Sequence, residues 1–307
     1  MKWKGLKDHL EVGVVHPALY PQTQTNEDLL LPTIDVIVQD PYFDRVEIGG
    51  VKDPEILKQL QSRLMISRMK RTYLAQPKIF ANNLDLNSLN KEERTKAIIE
   101  LKKCLDEAVY IGADSMELAS GQMMETQKEE AKKALVESLL EMDEYAQQKN
   151  IKLLLEIYDY DVDKRRLIGT TQDTVDVATQ MEGRCPTLSF IVDLSHIPLQ
   201  RETIEEAVFP LKNRIGHVHI GNCVMDEKDP RYGDKHPYFG YPNGLNDTAQ
   251  VAYFLEALAN IEYLRSDKKS SLSIEIMIGE GERAEDLIVN MKRTLNEAWD
   301  IFTSKIN

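Results

Sequence analysis

Short apolar runs alternate with longer segments whose apolar residues return every three or four positions, from one end of the chain to the other. The runs at 10–15, 45–48, 72–76, 115–120, 152–158, 187–195, 217–222 and 271–277 predict eight strands. Between them, helical spacing predicts helices over 53–70, 91–111, 126–148, 170–181, 202–213, 249–265 and 284–302, with a short one inside 32–40. Local chemistry sets some of the ends. Pro54 suits a first helical turn, and Gly112 stops the helix that carries Ile98, Leu101, Leu105 and Val109. Segments 17–31 and 223–247 read as loops.

Strands separated by helices imply a parallel sheet, because each parallel neighbour needs a crossover connection. Eight such units in 307 residues suit an α/β fold closed into a (β/α)8 TIM barrel, with 1–307 as a single domain. No G-x-G-x-x-G follows the first strand, which removes the usual sign of a dinucleotide fold.

In such a barrel the chemistry gathers at the C-terminal ends of the strands. Glu156, Asp193, His219 and Glu275 all stand late in four successive strands, so they can converge on one side of the mouth. A charged carboxylate within an apolar strand is costly unless it is paired or bound to a metal. Three carboxylates, one imidazole and no thiolate suit Mn²⁺, Mg²⁺ or Co²⁺ better than a structural Zn²⁺. His217 shares a face with His219 because side chains on a strand alternate; lying one layer deeper, it reads as a partner that orients a ligand. His196, three residues past Asp193, is expected over the mouth, bonding substrate oxygens or completing a second metal site.

The loop at 232–240 has its own Gly and Pro punctuation, charged heads and aromatics, as loops covering a site often do. It offers Asp234 and His236 to substrate or metal, and Lys235 and Tyr238 as substrate contacts. His16, ending the first strand, is either a further substrate contact at the mouth or a satisfied structural histidine. Glu47, Gln76 and Glu117 stand near the ends of early strands, either lining the pocket or held there for structure alone. Glu280 and Glu282 follow the last strand, where barrels often hold phosphate, and would repel a phosphorylated substrate.

A net charge of −13 argues against an extensive nucleic-acid footprint. Three widely spaced cysteines form neither a disulfide framework nor a C-x-x-C knuckle, which fits a reducing cytoplasm. The start lacks an apolar signal region and no 18-residue apolar run follows, so no membrane association is expected.

The runs LLLEIYD, FIVDLSH, GHVHIGN, DKHPYFG and LSIEIM together resemble the xylose-isomerase-like TIM barrels, which include sugar-phosphate isomerases and epimerases and family 2 AP endonucleases. The resemblance to ketose 3-epimerases implies that Glu156, Asp193, His219 and Glu275 bind one Mn²⁺ or similar ion, that Glu156 and Glu275 serve as acid and base, and that His196 touches the substrate. The loop departs from the epimerase pattern: Lys235-His236-Pro237-Tyr238 replaces its Arg and Pro-Gly pair. The combination HIGNC, YGDKHPYFG and GLND resembles instead the larger subunit of bacterial C-glycoside deglycosidases. That resemblance implies a Mn²⁺-dependent β-elimination cleaving the C–C bond of a 3-oxo-C-glucoside, with a small partner subunit and with His236, Lys235 or His196 assisting the leaving carbon. Epimerisation of a free ketose is the alternative outcome of the same proton abstraction. A nuclease would need two further histidines from the early strands, and there is none between His16 and His196. A sugar-binding barrel without turnover completes the alternatives.

Overall fold

The structure is a computed structural model and describes residues 3–265 and 267–306. Its eight strands are β1 (Leu10–Val15), β2 (Arg45–Gly49), β3 (Lys70–Leu74), β4 (Ser115–Ala119), β5 (Lys152–Glu156), β6 (Leu188–Asp193), β7 (Ile215–Ile220) and β8 (Ser270–Ile274). They pair in parallel in chain order and close through β1 and β8 into a barrel. The main helices are α1 (Leu30–Val38), α2 (Pro54–Ser67), α3 (Lys91–Ile111), α4 (Lys128–Lys149), α5 (Thr171–Gln180), α6 (Ile204–Val208), α7 (Thr248–Asn260) and α8 (Ala284–Ile306), one after each strand. The chain is therefore a TIM barrel, as its apolar pattern implies. Among the described residues, no helix is long and apolar enough to cross a membrane.

The strands alternate in an unusual sense. Val12, Val14, Ile48, Leu118, Leu155 and Leu272 are fully or almost fully buried in the hydrophobic core, which lies between the barrel and its helices. Many of the interior positions are polar, among them Glu11, Glu47, Thr72 and Glu117. Arg45 donates to Glu11 at 2.7 Å, to Thr72 at 2.8 Å and to Asp114 at 2.6 and 2.8 Å, filling the N-terminal end of the barrel with a hydrogen-bonded ion cluster. A buried guanidinium is tolerated there because it is fully paired.

Helix ends follow local chemistry. The Asp53 carboxylate accepts from the N–H groups of Glu55 and Ile56 and caps α2, and Gly112 takes the left-handed conformation (φ 72°) that ends α3. Three readings of the sequence need adjustment. Segment 17–31 is a chain of short turns (His16–Leu19, Pro21–Gln24 and Glu27–Leu29), because Pro17 and Pro21 start helical turns that bury Leu19 and Tyr20. Gln76 begins the short helix Gln76–Ala81 rather than ending β3, since Pro77 sits in its first turn. The expected helix over 202–213 shrinks to α6 and the 3₁₀ turn Phe209–Leu211, where Pro210 withdraws a backbone donor.

Candidate active site

Glu156 ends β5, Asp193 ends β6, His219 is the penultimate residue of β7, and Glu275 lies one residue past β8. The register pairs Asp193 directly with His219. His219 Nδ1 lies 3.6 Å from Glu156 Oε1, 4.0 Å from Asp193 Oδ2 and 3.3 Å from Glu275 Oε2. These four donor atoms lie within 4.8 Å of one another. Glu156, Asp193 and His219 are almost fully buried, and the Glu275 side chain is 15% exposed.

The donors are held from behind. Glu156 Oε2 accepts from Gln76 Nε2 at 3.0 Å, and Asp193 Oδ1 accepts from the Ser195 N–H at 2.7 Å. Each carboxylate thus spends one oxygen on the protein and turns the other into the cluster. Asp193 Oδ2 and His219 Nδ1 are buried without any hydrogen-bond partner. Orphaned buried atoms of this kind are expensive. Their convergence with two more carboxylate oxygens fits one divalent ion bound through three oxygens and a nitrogen. The surroundings favour positive charge here: burial opposes charge on His219, yet Glu47 and Glu117 outweigh it and push its pKa well above the usual histidine value, a pull that a bound cation would answer in place of the second proton.

A second polar group adjoins the first. Asp234 Oδ1 lies 3.1 Å from His196 Nε2 and 2.5 Å from His236 Nε2, and its Oδ2 pairs with Lys164 at 2.7 Å. The other ring nitrogens face backbone carbonyls, His196 Nδ1 to Ile157 at 2.9 Å and His236 Nδ1 to Glu275 at 3.2 Å. Burial would raise Asp234, but Lys164, His196 and His236 hold it well below the usual carboxylate range. Burial would likewise lower His236, and Glu275 and Asp234 push it up to about 9.

Two loops deliver this group. After β5 the chain winds round the buried Asp159 carboxylate, which accepts from the N–H groups of Val162, Asp163 and Lys164 and so aims Lys164 at the mouth. After β7 the long loop returns to the barrel: Asn222 donates to the Tyr238 carbonyl and accepts from the Asn246 N–H, and the His236 carbonyl accepts from the Met277 N–H at 2.8 Å. A side chain at Gly221 would collide with His236, so only glycine lets the loop come this close.

Above both groups opens a cavity of about 470 Å³. Glu156, His196, His219, Asp234, His236 and Glu275 line its floor, while Pro17, Pro21, Phe80, Ala81 and Ile278 form an apolar side. Three expected substrate contacts are not in its lining. His16 bonds Thr33 Oγ1 at 2.9 Å and is 1% exposed, because the turn begun by Pro17 carries it behind the wall; burial pushes its pKa down to about 3. Lys235 is half exposed and pairs with Asp163 at 3.2 Å, and Tyr238 packs edge-on against Tyr241. Of the three loop residues Lys235, His236 and Tyr238, it is His236 that the loop turns inward.

The cavity also holds residues the sequence left unmarked. Tyr158 lines it and hydrogen-bonds Glu156, with its ring 4.9 Å from that of His196. Its position two residues beyond Glu156, hence on the same strand face, was a usable signal. Lys164 had none, since only the loop's winding round Asp159 aims it.

A family model described as xylose isomerase-like TIM barrel matches residues 43–292. The chain belongs to that family. No curated protein matches its sequence. Among solved structures it is similar to a D-tagatose 3-epimerase-like protein, at 20% identity over 97% of this chain and 100% of that one, with a TM-score of 0.74. It is similar to the IOLI protein with a bound zinc atom, at 18% identity over 95% and 99% of the two chains, with a TM-score of 0.70. It is also similar to the 3-keto-D-glucoside 4-epimerase of E. coli, at 14% identity over 93% and 98%, with a TM-score of 0.67. At these identities the likeness is one of fold.

Proposed function

We propose that this xylose isomerase-like barrel is a divalent-metal-dependent enzyme that epimerises or isomerises a keto-sugar by moving a proton on the carbon beside its carbonyl. The observation that carries this reading is the approach of Glu156 and Glu275, from different strands, to the one unpartnered nitrogen of His219, beneath an open cavity. Glu156, Asp193, His219 and Glu275 would hold the divalent ion, which would supply the charge that polarises a carbonyl and its neighbouring hydroxyl. Three oxygen donors and one imidazole suit Mn²⁺, Mg²⁺ or Co²⁺. Glu156 and Glu275 form the acid–base pair: one takes the proton, and the other returns a proton to the opposite face of the carbon. His196 and His236 border the same space and are placed to bond substrate oxygens. The names of similar structures, a tagatose 3-epimerase-like protein and a 3-keto-glucoside 4-epimerase, support a keto-sugar substrate. The lack of any histidine between His16 and His196, where a nuclease would need two, weighs against nucleic acid, as does the net charge of −13.

A second reading, C–C cleavage of a 3-oxo-C-glucoside, is favoured by the apolar side of the cavity. A sugar carries hydroxyls on most carbons, whereas Pro17, Pro21, Phe80 and Ile278 offer contact to an apolar substituent. Proton abstraction is the same, but the electron pair then expels the aglycone carbon, which takes its proton from His236 or His196. Product analysis by mass spectrometry separates the outcomes. The Mn²⁺-loaded protein, with and without a co-expressed small subunit, is given a panel of ketoses and, separately, a 3-oxo-C-glucoside. An isobaric product establishes the epimerase or isomerase, and released aglycone establishes the lyase. Binding of both substrates without any product overturns both and leaves a sugar-binding barrel.

A further inference from the structure

We infer that Glu47, on β2 inside the barrel, is the positioning residue that presents His219 to the metal. Glu47 is fully buried and does not line the cavity, so it acts without touching substrate. Its Oε1 lies 2.7 Å from His217 Nε2 and its Oε2 lies 3.1 Å from His219 Nε2. One carboxylate thus accepts from two histidines two positions apart on β7, whose alternation puts both rings on the same side. A proton on His219 Nε2 leaves the lone pair on Nδ1, the orphaned atom that faces Glu156, Asp193 and Glu275. The His217 ring packs edge-on against that of His219, with centroids 5.0 Å apart at 87°. Carboxylate partners of this kind fix the tautomer and raise the basicity of a ligating imidazole.

Glu47, Glu117, His217 and His219 also lie close enough to hold an ion themselves. The direct contacts of Glu47 to both rings argue against it. Those contacts already satisfy Glu47 and the Nε2 atoms of both histidines, and they leave Glu117 Oε1 and the outward-facing His219 Nδ1 buried without a partner. The inference rests on the reading of His219 as a metal ligand and on nothing in the sugar chemistry.

The test is Mn²⁺ titration of metal-free full-length protein against a chelating dye, together with ¹⁵N imidazole NMR of the Zn²⁺-bound form. Wild type is expected to bind one ion per chain with the His219 proton on Nε2. Glu47→Gln keeps one acceptor but loses the charge and should weaken binding roughly tenfold; Glu47→Leu should weaken it roughly a hundredfold. Unchanged affinity and tautomer in either folded variant overturns the role of Glu47 alone. A proton on His219 Nδ1 in the Zn²⁺-bound wild type overturns it even where the variants fail to fold. Two ions per chain, with one lost in Glu47→Gln, makes Glu47 a ligand and overturns it as well. A wild type that binds no divalent ion fails the metal reading itself, an outcome distinct from the other three.

Discussion

Gly221→Ala places one methyl group where the loop after β7 meets the end of β8. The added carbon would lie 2.6 Å from His236 Nδ1, 2.8 Å from the Glu275 carbonyl oxygen and 3.3 Å from Ser195 Cβ. Ordinary contact needs about 3.5 Å, so His236 must withdraw by roughly 0.9 Å. It has little room: its Nε2 lies 2.5 Å from Asp234 Oδ1, and its carbonyl is bonded to the Met277 N–H. The displacement therefore passes to Asp234 and to the backbone of Glu275, one of the four residues clustered round His219 Nδ1. Overpacking a buried position costs about 1–3 kcal/mol, which lowers Tm by a few degrees in a protein of this size. Misplacing a reacting group by about 1 Å costs on the order of 100-fold in rate. The expected result is a loss of about two orders of magnitude in kcat/KM on the sugar found by product analysis, against a small fall in Tm at saturating metal. Gly5→Ala, whose added carbon meets only Asp8 Oδ2 at 3.7 Å, is the silent control. Wild-type turnover in Gly221→Ala, with His236 unmoved in a crystal structure, would refute this account of the close approach.

Three other expectations follow from the same geometry. Glu156→Gln and Glu275→Gln should each lower turnover by orders of magnitude while the far-ultraviolet circular dichroism stays that of wild type; activity within a few-fold of wild type in either would remove its acid–base role. Chelation should abolish activity and Mn²⁺ should restore it, and full turnover by protein shown to be metal-free by elemental analysis would remove the metal. The third concerns His16, which is buried as the neutral ring with a folded pKa of about 3, below the ordinary 6.5. The unfolded chain takes up the proton first, so stability is fully present above pH 6.5 and falls as the pH drops towards 3. At pH 5 the loss is about 2 kcal/mol. In urea melts His16→Gln should lose less than wild type between pH 7 and 5, with KM unchanged; equal losses would show that His16 charges freely in the folded state.

Glu156, Asp193, His219 and Glu275 were legible together because each is a charged or imidazole side chain inside an apolar run, and because a barrel makes successive strands neighbours. The donor cluster they form adds distances to that reading. His16 looked the same by the same logic, a polar residue at a strand end, yet the turn started at Pro17 carries it behind the cavity wall to Thr33. Lys164 was invisible for the opposite reason: it lies in a loop whose path is set by backbone N–H groups converging on Asp159. Glu47 illustrates a third case. Its sequence position placed it in a strand, but its partners, His217 and His219, are about 170 residues away in sequence.

The sequence by itself determined the alternation of strand and helix, the barrel that follows from it, and the four donors at the strand ends. Those properties come from local periodicity and from the high cost of burying unpaired charge, which are written residue by residue. Which histidines face the cavity, which carboxylate reaches His217 and His219 from behind, and how far the long loop folds back were decided only by the tertiary structure. They depend on side chains distant in the sequence competing for the same few hydrogen-bonding directions in a closed space, and no local pattern encodes that competition.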